Sequence, residues 1–262
     1  MFKFVATCFC FILYFGFSSG LVFAKNDTVL VDLFDVSSTT AGSNKLKRSN
    51  WPLNAKSSKN RKEFIDSVTS AVRYINQKIL WQRTILEKKK NKIPLNAKEQ
   101  KIYISICKFY MSKNLDELFL RVAPVPVSMA VAQASLESGF GSNRHMSQIN
   151  AYFGLVKDAK HLYKFDTLLE SVIAYSKTIN ANKMYRKFRE KRAKTICDNQ
   201  KIDGMQLSKF IGNYGANPRY VKLLCNLIRN YKLDSLDSKI PPNLVRAANY
   251  RIVKKHAKFT HE

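Results

Sequence analysis

Histidine and cysteine are too few and too scattered in this chain to build a metal centre. The four histidines, His145, His161, His256 and His261, show no ligand spacing, and neither Cys-x-x-Cys nor His-Glu-x-x-His occurs. The local signatures of nucleophilic Ser or Cys catalysis are missing, and so is a glycine-rich phosphate loop. No metal and no cofactor are expected. Outside the N-terminal 24 residues only Cys107, Cys197 and Cys225 are left. An odd count is no disulfide framework, and a domain of this size does not need one. One pair could form in an oxidising compartment, and the sequence does not say which. Acidic residues are also scarce: 19 Asp and Glu stand against 45 Lys and Arg, a formal charge of +26. Such a charge favours an anionic partner, although a bias towards Lys, Asn and Ile gives the same number with no partner at all.

The N-terminus reads as a secretory leader. Lys3 supplies a positive end, Phe4 to Phe17 is almost continuously apolar, and Val22-Phe23-Ala24 places small residues at a cleavage position. No stop-transfer pattern follows, and no later segment approaches 18 uninterrupted apolar residues, so no transmembrane anchor is expected after cleavage. Export to the periplasm or cell envelope turns the choice of anionic partner from nucleic acid to envelope polymers. The expected division is a leader over 1–24, a polar linker of disorder-prone composition over 25–60, one domain over 61–234, and a basic tail over 235–262.

From Arg61 the helical period takes over. Phe64, Val68, Val72, Ile75, Ile79 and Leu86 share one face, Lys88-Lys89-Lys90 suits the negative end of that helix, and Pro94 marks its stop. Asn96 with Glu99 predicts a capping box for a second helix, and Thr167 with Glu170 predicts another. Short helices are expected from Leu115 to Val122 and, rich in small residues, from Ser128 to Ser138. A basic helix near Phe188, an element starting at Asp203-Gly204, and a last helix opened by Asn217-Pro218 follow. Only Tyr152 to Phe165 looks extended, enough for one short hairpin. The domain is mainly α, with no internal repeat, and should be a monomer.

The chemistry concentrates where the small-residue helix ends. Met129, Gln133 and Glu137 are four apart and share a stripe, while Ala130, Val131 and Ala134 allow close packing behind it. Glu137 then falls in the last turn, before Gly139 and Gly141 break the helix on either side of Phe140. Unpaired carbonyls at a helix C-terminus disfavour a second negative charge, and burial by Phe140 would raise the pKa further. A carboxyl protonated at neutral pH is what general acid cleavage of a glycosidic bond requires. The alternative is a solvated Glu ahead of a C-capping glycine. Phe140, Tyr152, Phe153, Tyr214 and Tyr220 suit either a sugar groove or the core. Asn150 suits either an acetamido group or the loop backbone.

The segment Ala134-Ser135-Leu136-Glu137-Ser138-Gly139-Phe140-Gly141, with Asn150-Ala151-Tyr152-Phe153-Gly154 downstream, resembles the signature of bacterial peptidoglycan glucosaminidases. That motif runs roughly A-x-x-E-S-G-W-G, then N-N-L-F-G. The resemblance extends from about Arg61 to Leu233 and is closest to the Bax-type branch. It rests further on Arg83, on Pro94 to Gln100, on Val122 to Ser128, on Phe165-Asp166-Thr167 with Glu170-Ser171-Val172 and Tyr175, and on Asn180 to Arg192. It also takes in Tyr214-Gly215-Ala216-Asn217-Pro218-Arg219-Tyr220. Phe140 stands in place of the usual Trp.

The resemblance implies a lysozyme-like α-helical fold and hydrolysis of the β-1,4 bond after N-acetylglucosamine in peptidoglycan glycan strands. It makes Glu137 the catalytic acid and Tyr214 a groove residue near the reacting sugar, with Gln133, Phe140, Asn150 and Phe153 shaping the site. The second acidic residue that the family places on a hairpin after Gly154 has one counterpart here, Asp158. Two-carboxylate hydrolysis needs the pair roughly 5–9.5 Å apart; failing that, the substrate's own acetamido group can act. Lytic transglycosylase cleavage, or a catalytically degenerate wall-binding protein, is the alternative function.

Overall fold

The computed structural model describes residues 28–34, 58–215 and 218–239. The expected leader, Asn217 and most of the basic tail lie outside these residues. The first long helix, α2 (Ser58–Lys90), follows a short α1 (Thr28–Phe34). Its sequence face is its buried face: Phe64, Val68, Val72, Ile75, Ile79 and Leu86 all enter the core. Lys88 in its last turn pairs with Glu99, which joins α2 to the start of α3 (Ala97–Phe109). There the capping box forms as expected, with the Glu99 amide donating to Asn96 Oδ1 (2.9 Å) and the Asn96 amide to Glu99 Oε2 (3.1 Å).

Within the segment expected to be a polar linker, α1 corrects the reading. Leu33 and Phe34 are fully buried, and Phe34 meets Phe109 at 5.1 Å. Gln82 donates to the Leu33 carbonyl (3.1 Å), Tyr74 to that of Phe34 (3.1 Å), and Ser105 to Asp32 (2.9 Å). A helix of seven residues does not hold itself in water. Packing on α2 and α3 holds it, and local pattern does not show that.

After α4 (Leu115–Arg121) the chain runs through a buried, non-helical stretch, Val122 to Pro126, before α5 (Val127–Ser138). Backbone buried without a helix needs outside partners. Arg83 donates to the carbonyls of Phe119 and Val122, both at 2.9 Å. Arg192 donates to those of Leu120, Ala123 and Pro124 at 2.8–3.1 Å and to Asn180 Oδ1. Asn76 bonds both the amide and the carbonyl of Val125. Burial lowers the pKa of Arg83 to about 10 and of Arg192 to about 9, so both stay cationic at neutral pH. The start of α5 is thereby anchored.

Small side chains let α5 sit in the middle of the molecule, packed by α2, by a short α9 (Gly204–Leu207), by α10 (Tyr220–Asn230), and by the 3₁₀ turn Leu233–Leu236. Pro126 offers no side-chain cap. Asp237 supplies one from a distance, accepting from the Ser128 amide (2.9 Å), the Ser128 hydroxyl (2.6 Å) and the Gly204 amide (2.8 Å). The domain therefore continues past Asp234, into what the sequence presented as tail. A helix N-terminus attracts a carboxylate from any part of the chain.

Between α5 and the next long helix lies a five-residue α6 (Arg144–Gln148), which the sequence reading had as loop. The expected hairpin reduces to one bridge between Val156 and Leu162. α7 (Leu168–Ala181) starts at Thr167, whose hydroxyl accepts from the Glu170 amide, while Glu170 reaches back to the amide of Asp166. α8 (Arg186–Cys197) carries the buried Arg189 and Arg192. Cys107, Cys197 and Cys225 are all free thiols. The fold is mainly α and lysozyme-like, as expected, and among the described residues no helix is long and apolar enough to cross a membrane.

Candidate active site

Gln133 and Glu137, one turn apart on α5, meet the same hydroxyl. Tyr220 Oη donates to Glu137 Oε1 (2.9 Å) and accepts from Gln133 Nε2 (3.1 Å). Gln133 Oε1 in turn accepts from Tyr175 Oη (2.7 Å) on α7. The donors of this chain run in one direction, from Tyr175 through Gln133 and Tyr220 to Glu137. Oε1 is an acceptor in it, and the proton of a neutral Glu137 therefore sits on Oε2.

Oε2 lies against Gly154. A Cβ at that position would stand 2.9 Å from it, and Gly154 has φ +63°, so a side chain is excluded on both counts. Gly139, also left-handed at φ +59°, ends α5 by giving its amide to the Ser135 carbonyl. The helix thus stops one turn beyond Gln133, with Glu137 still partly open to solvent. Its carboxyl is nonetheless deep enough for desolvation to push the pKa up to about 7, against the opposing hydrogen bond from Tyr220.

Phe140, near the acid in sequence, packs its ring on the core. With φ +57° the Phe140 ring turns to Phe64 (6.2 Å), to Tyr231 (5.0 Å) and under the Arg61 guanidinium (5.2 Å). Tyr152 is buried beside Phe64 (5.8 Å), a core position. Phe153 is likewise buried and stacks on Tyr175 at 4.2 Å, while its carbonyl accepts from Tyr214 Oη (2.7 Å). Tyr214 therefore holds the Phe153-Gly154 turn across Glu137, and its ring lies 6.0 Å from that of Tyr220. Asn150 bonds the Phe165 carbonyl (2.9 Å), the loop-backbone option.

Asp158 uses its carboxylate locally. It accepts from the amides of Lys160 and His161 (3.0 Å each) and from His161 Nδ1 (2.7 Å), at an exposed turn. Those bonds, led by the Lys160 amide, hold its pKa below the usual value. Among the described residues no second carboxylate contributes to the proton affinity of Glu137. What the sequence reading missed is the phenol cluster. Tyr175 and Tyr185 join Tyr214 and Tyr220 behind the acid, with Tyr185 6.3 Å from Tyr214. No His, Cys, Asp and Glu group among the described residues could hold a metal ion.

The family model Glucosaminidase, described as mannosyl-glycoprotein endo-beta-N-acetylglucosaminidase, matches residues 119–233. That span runs from α4 to the end of α10 and contains every side chain placed around Glu137 above. No curated protein and no solved structure matches the chain. A buried acid at the end of a central helix, inside a lysozyme-like fold, thus lies in a segment, residues 119–233, that is a glucosaminidase domain, the kind associated with hydrolysis of peptidoglycan glycosidic bonds.

Proposed function

We propose that the protein is an exported endo-β-N-acetylglucosaminidase that cleaves the β-1,4 bond after N-acetylglucosamine in peptidoglycan, with Glu137 as general acid. The observation that carries this reading is the Glu137 carboxyl itself, raised to about 7 by burial and still open to solvent. Such a group is protonated at its working pH and can give the proton up. Glu137 Oε2 protonates the glycosidic oxygen as the bond to the anomeric carbon breaks. Gly154 leaves room for that oxygen to approach.

Asp158 is engaged in its own turn, so the route we favour uses the substrate. The acetamido oxygen of the N-acetylglucosamine attacks the anomeric carbon, the departing sugar leaves with the proton, and Glu137, now ionised, takes a proton from the water that opens the ring intermediate. The Gln133, Tyr220 and Tyr175 chain orients the acid, and Tyr214 orients the turn beside it. The excess of Lys and Arg over Asp and Glu would assist binding to an anionic envelope.

The test is digestion of purified peptidoglycan by the protein and its Glu137→Gln variant, with mass spectrometry of the released ends. Reducing N-acetylglucosamine ends, lost with the variant by a factor on the order of 10²–10⁴ in turnover, are expected. A folded variant that loses less than about tenfold sinks the assignment. Anhydro-sugar ends would make the protein a lytic transglycosylase, and wall binding without cleavage by either form would make it a degenerate, wall-holding relative.

A further inference from the structure

Of the four phenols gathered behind Glu137, three have a fixed partner. Tyr175 is committed to Gln133, Tyr214 to the Phe153 carbonyl, and Tyr220 to Glu137. Tyr185 is different. It closes the 3₁₀ turn Lys183–Tyr185, is only 5% exposed, and its hydroxyl has no hydrogen-bond partner among the described residues. A buried hydroxyl seldom goes without a partner in a native interior. Nor is this oxygen one of the unpartnered atoms sealed from solvent. The Tyr185 ring lies 6.3 Å from that of Tyr214, whose hydroxyl holds the turn that sets Gly154 against Glu137, and the charge of Glu137 reaches the Tyr185 hydroxyl.

The chemistry of the missing partner follows from the surroundings. Burial raises the Tyr185 pKa well above the ordinary phenol value, so the hydroxyl keeps its proton and offers a donor. The ring of Tyr214 lies alongside. A group that fits carries a carbonyl acceptor and a methyl together, which an acetamido substituent does and a ring hydroxyl does not.

We propose that Tyr185 is a substrate-binding residue, its hydroxyl donating to the acetamido carbonyl oxygen of the N-acetylglucosamine held against Glu137. This rests on the reading of Glu137 given above. The bond would hold the acetamido oxygen near the anomeric carbon and would make the site selective for N-acetylated sugar.

Calorimetric binding in a Glu137→Gln background separates the two ideas. The ligands are the β-1,4 tetramer of N-acetylglucosamine and the β-1,4 tetramer of glucose, both neutral, which differ in the acetamido group. Adding Tyr185→Phe should weaken the N-acetylated tetramer by about tenfold, leave the glucose tetramer unchanged, and leave thermal stability where it was, since no protein hydrogen bond is lost. Tyr175→Phe and Tyr214→Phe, which each remove a bond within the protein, should lower the unfolding temperature instead. Equal affinity of the two tetramers before the substitution, or an equal change in both after it, overturns the Tyr185 assignment. Failure of the Glu137 reading shows elsewhere, as peptidoglycan cleavage that survives Glu137→Gln.

Discussion

The Glu137 carboxyl titrates near 4.5 when free and near 7 in the fold, so the folded protein holds that proton more tightly than the unfolded chain does. Its contribution to stability is therefore greatest below about pH 4.5 and declines as pH rises towards 7, where the buried group must ionise. Glu137→Gln escapes that loss. At pH 8 the variant should be more stable than the parent by about 2–3 kcal/mol relative to their difference at pH 4, as measured by unfolding at both values. The Tyr220 hydrogen bond favours the ionised form. Tyr220→Phe should thus raise the Glu137 pKa and move the alkaline limb of the pH–rate profile upward by up to about one unit, together with a fall in turnover. A limb that stays in place would take Tyr220 out of the mechanism. Glu137 and Gln133 could be read from their spacing of four, because both ends of that stripe lie on one helix. Phe140 and Tyr152 could not be assigned. Their neighbours Phe64 and Tyr231 are distant in sequence, and aromatic type alone does not separate a groove from a core.

At the scale of elements, what the sequence shows best is what helices decide locally. The buried face of α2 and the capping box of α3 depend on residues three and four apart, and both form as read. What it shows least is how non-helical backbone is satisfied. The stretch between α4 and α5 survives burial because Arg83, Asn76, Asn180 and Arg192 reach it from three other helices. In sequence Arg192 is one cation in a basic helix, with nothing to set it apart from its exposed neighbours. Arg192→Met should leave the carbonyls of Leu120, Ala123 and Pro124 short of donors and cost about 3–5 kcal/mol, read by urea denaturation. Lys191→Met, on the exposed side of the same helix, should change little. The hairpin after Gly154 was legible as short, and its consequence for Asp158 was not. Whether a carboxylate serves catalysis or its own turn depends on where that turn sits.

Taken whole, the molecule is organised around a helix that is held at both ends by segments far from it in sequence. The far end of α5 presents Glu137 to Tyr220 and Gly154, and the near end is closed by Asp237. Its flank is α2, which α1 covers in turn on the outside. The family match, residues 119–233, takes in the acid and its aromatic neighbours but leaves out Asp237, α2 and α1. Asp237 is a buried carboxylate whose pKa burial raises, kept in place by three hydrogen-bond donors. The portable unit of this enzyme is consequently longer than its recognisable one. A chain exchanged, fused or cut at the borders of the matched segment would carry every residue of the site and lose the stop that fixes α5 along its axis. Catalytic inheritance in such a lineage is bounded by Asp237 on one side and α2 on the other, four residues and two helices beyond the last signs of kinship.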